Sequence, residues 1–584
     1  DSASVIALAM TLDESLDAFN RILSAEPVPQ LVVSTGDLAA RQAEWIVREQ
    51  PSQSEPQVQE SASLLHARPA LAVPYIEPTN DKEQLLADIW GETLGIEPVG
   101  IHDNYFELGG DSIMSLRIIS MARQKGFRLT TQQFFEHQTI AELATIASSG
   151  EGFAAELGQV TGPVPLTPIQ HWFFEQQLPN PNHFNIVLTI ESRESLDVDR
   201  LEVAMRHVIN SHDALTLRYR EKGSAWMQEN ADSGEILSCT SVDISKMSPS
   251  EQDGAISHEV AGLNTRLLLS DGPLVALSLI KCGAGKGSKL IIVVHHLVLD
   301  AVSCHILLAD LQEAYQQLEQ GEPIALTLSR TTPFGHWAQQ LAEYAQSDAC
   351  SAEADYWCET SWSQTGSLPL DFPEGLNTNL SAHKHSIFLG IEETRALLQE
   401  VPKAYNTQVT DVLLAAMAQT LTQWTGASAH GIALEGHGRE PILQGVDLSR
   451  TVGWFTTLYP VLLELSAPDS PGEALRAVKE RLRKIPNSGI GYGLLRYLHG
   501  DKEIVERLNE LPQPEISFTY LGQLDQSLPE DSPFRLTSFG LSGQVGEGRR
   551  HHLLDVNALV IGDRLQIDWI YSEQIHLAST IERL

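Results

Sequence analysis

The chain has 584 residues, 42% of them hydrophobic and 7% aromatic, and a formal net charge of −37. That length exceeds what one hydrophobic core serves and predicts three or four domains. The acidic balance disfavours nucleic acid and anionic membrane as partners, and no apolar run reaches the roughly eighteen residues of a membrane span. The five cysteines have no paired spacing, which fits a reducing, cytoplasmic setting. The start, DSASVIALAM, has neither an initiator Met nor a basic leader and reads as cut from a larger polypeptide.

Residues 1–48 read as helix (LDESLDAFNRIL), short strand (PQLVVST) and helix (DLAARQAEWIV), a fragment of an α/β unit without its own core. The wording resembles the end of a polyketide-type ketoreductase domain. Residues 49–76 are rich in Pro, Ser and Gln and read as a linker.

An all-helical unit is expected over 77–149. Leu85, Leu86, Ile89, Trp90 and Leu94 share one helical face. In LGGDSIMSL two glycines make a turn, Asp111 is a good N-cap, and Ile113, Leu116 and Ile119 or Met121 form the apolar side of the next helix. A serine at such a helix start is well placed to carry a phosphodiester, because free N–H groups and the helix dipole favour an anion. DNYFELGGDSIMSL closely resembles the carrier-protein motif of nonribosomal peptide synthetases. The resemblance implies a small four-helix carrier bundle with 4′-phosphopantetheine covalently on Ser112, added by a phosphopantetheinyl transferase.

A second linker, 150–164, leads to a large region, 165–584. Its centre is Val293-Val294-His295-His296-Leu297-Val298-Leu299-Asp300-Ala301-Val302-Ser303. The apolar run IIVV predicts a buried strand, ILLADLQEAYQQL a helix, and the turn between them offers acid/base groups at a sheet edge. Adjacent strand residues point to opposite faces, so two imidazoles do not easily share one ion and no metal site is expected.

HHxxxDxxS is the signature of condensation and epimerization domains, and PLTPIQHWFFEQ, HFNIVLTI, HDALTLRYR, LEGHGREPI, RTVGWFTTLYP, IPNSGIGYGLLRYL and ISFTYLGQLDQ follow the same family order. The resemblance implies an α+β multidomain chain, its carrier followed by a two-lobed α/β domain like chloramphenicol acetyltransferase, with the carrier's arm entering a tunnel between the lobes. It implies His296 and Glu435 as the acid/base pair that inverts the α-carbon of a thioester, with His295, Asp300 and Ser303 supporting the loop. Cys304, Thr519, Tyr520, Ile186 and Trp454 are pocket candidates. Three of them depart from the family: Cys304 replaces a usual Trp, Thr519 a usual Asn and Ile186 a common Gln. These departures and the ketoreductase-like tail keep open dehydration or α-epimerization of a hydroxyacyl thioester, as well as a non-catalytic docking module. Upstream and downstream synthase modules are the implied partners. Two further strings are expected to be structural: the glycine-rich stretch 283–288, which lacks the spacing of a phosphate loop and precedes a strand, and His551-His552.

Overall fold

The computed structural model describes residues 66–584, apart from 70, 72, 111, 150–161, 224, 232–237, 284–286, 327–330, 361, 363–364, 406, 466–469, 524–531 and 543–547. The ketoreductase-like segment, most of both linkers, the Asp111 cap and the tip of the 283–288 loop lie outside the described residues. Among the described residues no helix is long and apolar enough to cross a membrane.

The helical unit consists of α1 (Asp81–Leu94), α2 (Ser112–Gln124), α3 (Thr131–Glu136) and α4 (Ile140–Ile146). Asn80 caps α1 by accepting from the Glu83 N–H at 3.0 Å, and Gly95 ends it at φ 67°, a conformation that glycine adopts without strain. Leu86, Ile89, Trp90 and Leu94 turn inward as expected, and Trp90, Tyr105 and Phe134 meet edge to face at the centre. Among the described side chains of α2 the buried positions are Met114, Ser115, Ile118, Ile119, Ser120 and Ala122. The side chains of Ile113 and Leu116 lie outside the described residues. The stretch read as linker ends earlier than 76. His66–Ala67 pairs in parallel with Ile96–Glu97, and Arg68 forms an ion pair with Asp103 at 2.6 Å.

The large region begins with α5 (Pro168–Glu175), β1 (Asn185–Ser192), α6 (Val198–Ser211), β2 (Cys239–Asp243), β3 (Val275–Lys281), β4 (Ser288–His295), α7 (Ala301–Glu319) and α8 (Phe334–Tyr344). The second half supplies β5 (Ala382–Phe388), α9 (Val409–Thr425), β6 (Ala429–Gly436), β7 (Thr457–Glu464), α10 (Pro471–Arg483), α11 (Ile490–Tyr497), β8 (Ile516–Gln523), β9 (Phe534–Ser542), β10 (Leu554–Ile561) and β11 (Arg564–Ser572). Two sheets result, ordered β9-β1-β4-β3-β2 and β5-β11-β10-β8-β6-β7. They are the cores of two lobes. β9 comes from the second half yet pairs antiparallel with β1 and completes the first sheet.

The unbroken apolar run of β4 has a geometric cause. Leu290, Ile292 and Val294 face the main core, whereas Ile291 and Val293 face a smaller cluster with Ile244, Leu263 and Ile280 on the other side. β3 and β4 pair antiparallel from Lys281↔Ser288, in keeping with a hairpin. β10 and β11 are joined by Gly562 and Asp563 at φ 58° and 59°, a tight turn that glycine favours.

Candidate active site

β4 ends at His295, whose ring is fully buried. Its Nε2 lies 2.8 Å from the Pro181 carbonyl, and its Nδ1 accepts from the Leu297 N–H at 3.1 Å. A ring that donates at one nitrogen and accepts at the other is neutral, and burial pushes its pKa down to about 3. His295 therefore shapes the turn. His296 is half-buried, stacked on Phe184 at 5.2 Å and set against Trp454 at 4.4 Å. Its Nδ1 is buried without a partner of normal hydrogen-bond geometry. Burial pushes this imidazole down to about 4, although the Asp300 carboxylate opposes the shift.

Asp300 caps α7, accepting from the Ser303 N–H at 2.7 Å, and its other oxygen accepts from the Phe455 N–H at 3.0 Å. Ser303 Oγ donates to the Gly453 carbonyl at 2.9 Å and accepts from the Gly453 N–H at 3.1 Å. Arg439, 2% exposed, lies between them. It reaches Asp300 at 3.4 Å, Ser303 Oγ at 2.9 Å and the Leu448 and Thr451 carbonyls, with its guanidinium over the Phe455 ring at 3.9 Å. The start of α7 is thus tied to the Gly453–Trp454–Phe455 loop that carries the ring against His296.

Glu435 sits one residue from the end of β6, opposite Leu458 of β7. Its side chain is open to solvent yet closely flanked by other protein groups, Thr519 among them. Loss of hydration pushes its carboxyl up to about 7; a hydrogen bond from Thr519 works against that shift, and the charge of Asp555 adds to it. Trp454 links the two groups. It lies on His296, and three residues later Thr457 pairs with Gly436, the neighbour of Glu435.

Of the remaining pocket candidates, Thr519 touches Glu435, while Tyr520 alternates to the opposite face of β8 and packs against the core. Ile186 and Cys304 are 0% and 1% exposed in the core of the first lobe, closed off from the cleft. Ile186 shares its face of β1 with Leu188 and Ile190, so alternation takes it inward. His551 and His552 both line a cavity; His552 is buried with Nδ1 2.8 Å from the Pro514 carbonyl, whereas His551 is exposed and lies beside Trp172. Sequence reasoning missed Arg439 and Trp172. Arg439 stands in the quoted LEGHGREPI, but nothing in that string marks the arginine as buried.

Gly109 and Gly110 bring the chain to the first residue of α2. Gly109 has φ 92°, and a Cβ at Gly110 would come within 2.2 Å of the Tyr105 ring. Only glycines make this approach, and a helix start favours an anion, so the site fits a phosphodiester on Ser112. The same helix lies against the large region. Arg450 Nη1 donates to Ser120 Oγ at 3.1 Å, Arg123 is ion-paired with Asp447, and Arg117 acts electrostatically on His305 of α7. Arg450 is in turn ion-paired with Asp310, whose other oxygen is 2.7 Å from His212 Nε2.

Comparison with known proteins agrees with this architecture. Residues 160–584 match the condensation domain family, and residues 84–146 match the phosphopantetheine attachment site. The chain belongs to the condensation-domain family and carries a phosphopantetheine attachment domain ahead of it, the kind that holds 4′-phosphopantetheine covalently. It is 43% identical over 516 residues to one of the linear gramicidin synthase proteins of Brevibacillus parabrevis, and 41% identical over 530 residues to the chondramide synthase of Chondromyces crocatus. Each match covers 88% of the chain but only 10% and 13%, respectively, of those relatives. A crystal structure of the epimerization domain from the third module of tyrocidine synthetase B superposes with TM-score 0.69 at 33% identity, covering 74% of this chain and 95% of that one. The starter condensation domain of rhizomide synthetase superposes at 0.54 with 16% identity, covering 72% of this chain and 93% of that one, and shares the fold.

Proposed function

We propose that this chain is the carrier–epimerase part of a modular nonribosomal peptide synthetase and inverts the α-carbon of an acyl thioester held on Ser112. The observation that supports the reading is placement: His296 follows β4 of the first sheet and rests on Trp454, and Glu435 lies near the end of β6 of the second, next to the Gly436 that pairs with Thr457. The arm supplies a thioester, which acidifies the hydrogen on the neighbouring carbon.

With values of about 4 and about 7, the uncharged pair, imidazole and carboxylic acid, is the favoured resting state below neutral pH. His296 takes the α-proton on one face and Glu435 returns a proton on the other, leaving an imidazolium and a carboxylate. The reverse transfer, on the opposite epimer or through solvent, restores the pair. Asp300, Ser303 and Arg439 hold the loop that carries His296, and Trp454 and Phe184 fix its ring plane and keep water from it.

The test is to treat the chain with a phosphopantetheinyl transferase and a single-handed acyl donor, then hydrolyse the thioester and measure the epimer ratio. One arm should be added, the ratio should move toward a mixture of both hands, and Ser112→Ala should abolish the mass increment. Modification persisting in Ser112→Ala removes the carrier assignment. Loss of one water in place of inversion removes the epimerase assignment.

A further inference from the structure

Asn487, Ser488 and Gly489 stand in left-handed conformations one after another, at φ 43°, 51° and 85°, immediately before α11. Glycine takes these angles freely and asparagine tolerates them, but two successive non-glycine residues there are held against their own preference. Strain of this kind persists only where the surrounding contacts over-determine it, and it gathers at sites whose geometry must be fixed.

The turn is anchored by one carboxylate. Asn487 Nδ2 donates to Glu353 Oε1 at 2.7 Å. Glu353 is 6% exposed, and a Cβ on Gly491 would come within 1.9 Å of its Oε2, so the carboxylate lies against the first turn of α11. A helix start favours an anion, and Glu353 thereby ties the turn and α11 together.

What the turn supports is the end of β6. A Cβ on Gly436, the neighbour of Glu435, would lie 3.9 Å from the Ser488 carbonyl oxygen. A Cβ on Gly489 would come within 2.4 Å of the ring of Tyr459, the cross-strand partner of Leu434. The Ser488 hydroxyl donates to the Glu440 carboxylate, which lies 3.4 Å from His437 Nε2. Contacts of the turn thus reach the strand on both sides of Glu435.

We propose that Glu353, Asn487 and Ser488 are positioning residues for Glu435, a strained buttress that fixes its carboxyl against one face of the α-carbon and takes no proton itself. The proposal rests on the reading of Glu435 as an acid/base group. In that reading His296 removes the α-hydrogen of one epimer and Glu435 that of the other. Exchange in D2O from each epimer, loaded in turn on the carrier, therefore reads the two groups separately in one protein. His296→Ala and Glu435→Gln assign which epimer belongs to which group.

Asn487→Ala and Ser488→Ala should each lower exchange from the Glu435 epimer by about tenfold and leave exchange from the His296 epimer within about twofold, because a small displacement of one reacting group is costly. Glu353→Ala should do the same. Glu353→Gln keeps the acceptor for Asn487 and should restore most of the wild-type ratio. A variant that only loses stability or carrier loading lowers both rates together. An equal fall for both epimers, an unchanged ratio in the three alanine variants, or a Glu353→Gln as impaired as Glu353→Ala overturns the proposal. Absence of exchange from both epimers in the wild-type chain removes the epimerase reading, and the buttress with it.

Discussion

Glu435 and His296 shift in opposite directions for the same reason, since loss of hydration penalises the charged form of each. The sign has a consequence for activity. With Glu435 as proton donor, inversion starting from the epimer that His296 deprotonates should fall as pH rises through about 7. It should also fall as pH drops through about 4, where His296 takes up a proton. His296→Ala and Glu435→Gln should each lower inversion by about 10²–10⁴-fold, the usual contribution of a general acid or base, with carrier loading unchanged. The same shift enters stability. A carboxyl whose value rises from 4.5 to about 7 on folding makes the folded state bind more protons in that interval, so stability declines as pH rises across it. Glu435→Gln should flatten that part of the profile of Tm against pH. Asp300 differs in kind. Asp300→Ala leaves Arg439 buried without its carboxylate and should cost about 3–5 kcal/mol in urea unfolding, the range for breaking a buried pair.

At the scale of elements, the site depends on where strands end and helices begin. IIVV and the periodic stretch after it are sufficient to expect β4 and α7, since apolar runs and 3.6-residue periods are local signals. The alternation into two strands around Gly562-Asp563 is equally local. What the sequence hides is non-local. Nothing in FRLTSFGLS says that β9 crosses to the first lobe, and nothing near Arg439 says that its partners lie about 140 residues earlier, at Asp300 and Ser303. Family resemblance points to His296 and Glu435, but the ring of Trp172 and the cavity beside it emerge only from packing. Helix α2 offers a test at this scale. Arg123→Glu and Asp447→Arg should each slow inversion on the loaded carrier, and the double exchange should recover part of the loss, because the pair joins α2 to the large region. The recovery should be small, about 1 kcal/mol or less, as for other partly exposed ion pairs. Full activity in both single variants would show that this contact does not guide the carrier.

Across the whole molecule the two sheets carry one each of the two proposed acid/base groups. The first lobe delivers His296 from the end of β4, the second delivers Glu435 from the end of β6, and Arg439 with Asp300 ties one to the other. Two acid/base groups on separate lobes can address opposite faces of one carbon, a geometry that inversion requires and simple exchange does not. The most direct measurement follows the α-hydrogen and its stereochemistry together, with each epimer loaded in turn on the carrier in D2O. The wild-type chain should invert both and place solvent deuterium at the α-position. Glu435→Gln should exchange one epimer with retention and fail to invert it, and His296→Ala should exchange only the other. Inversion without deuterium, or wild-type inversion in both variants, would contradict a two-lobe, two-base mechanism.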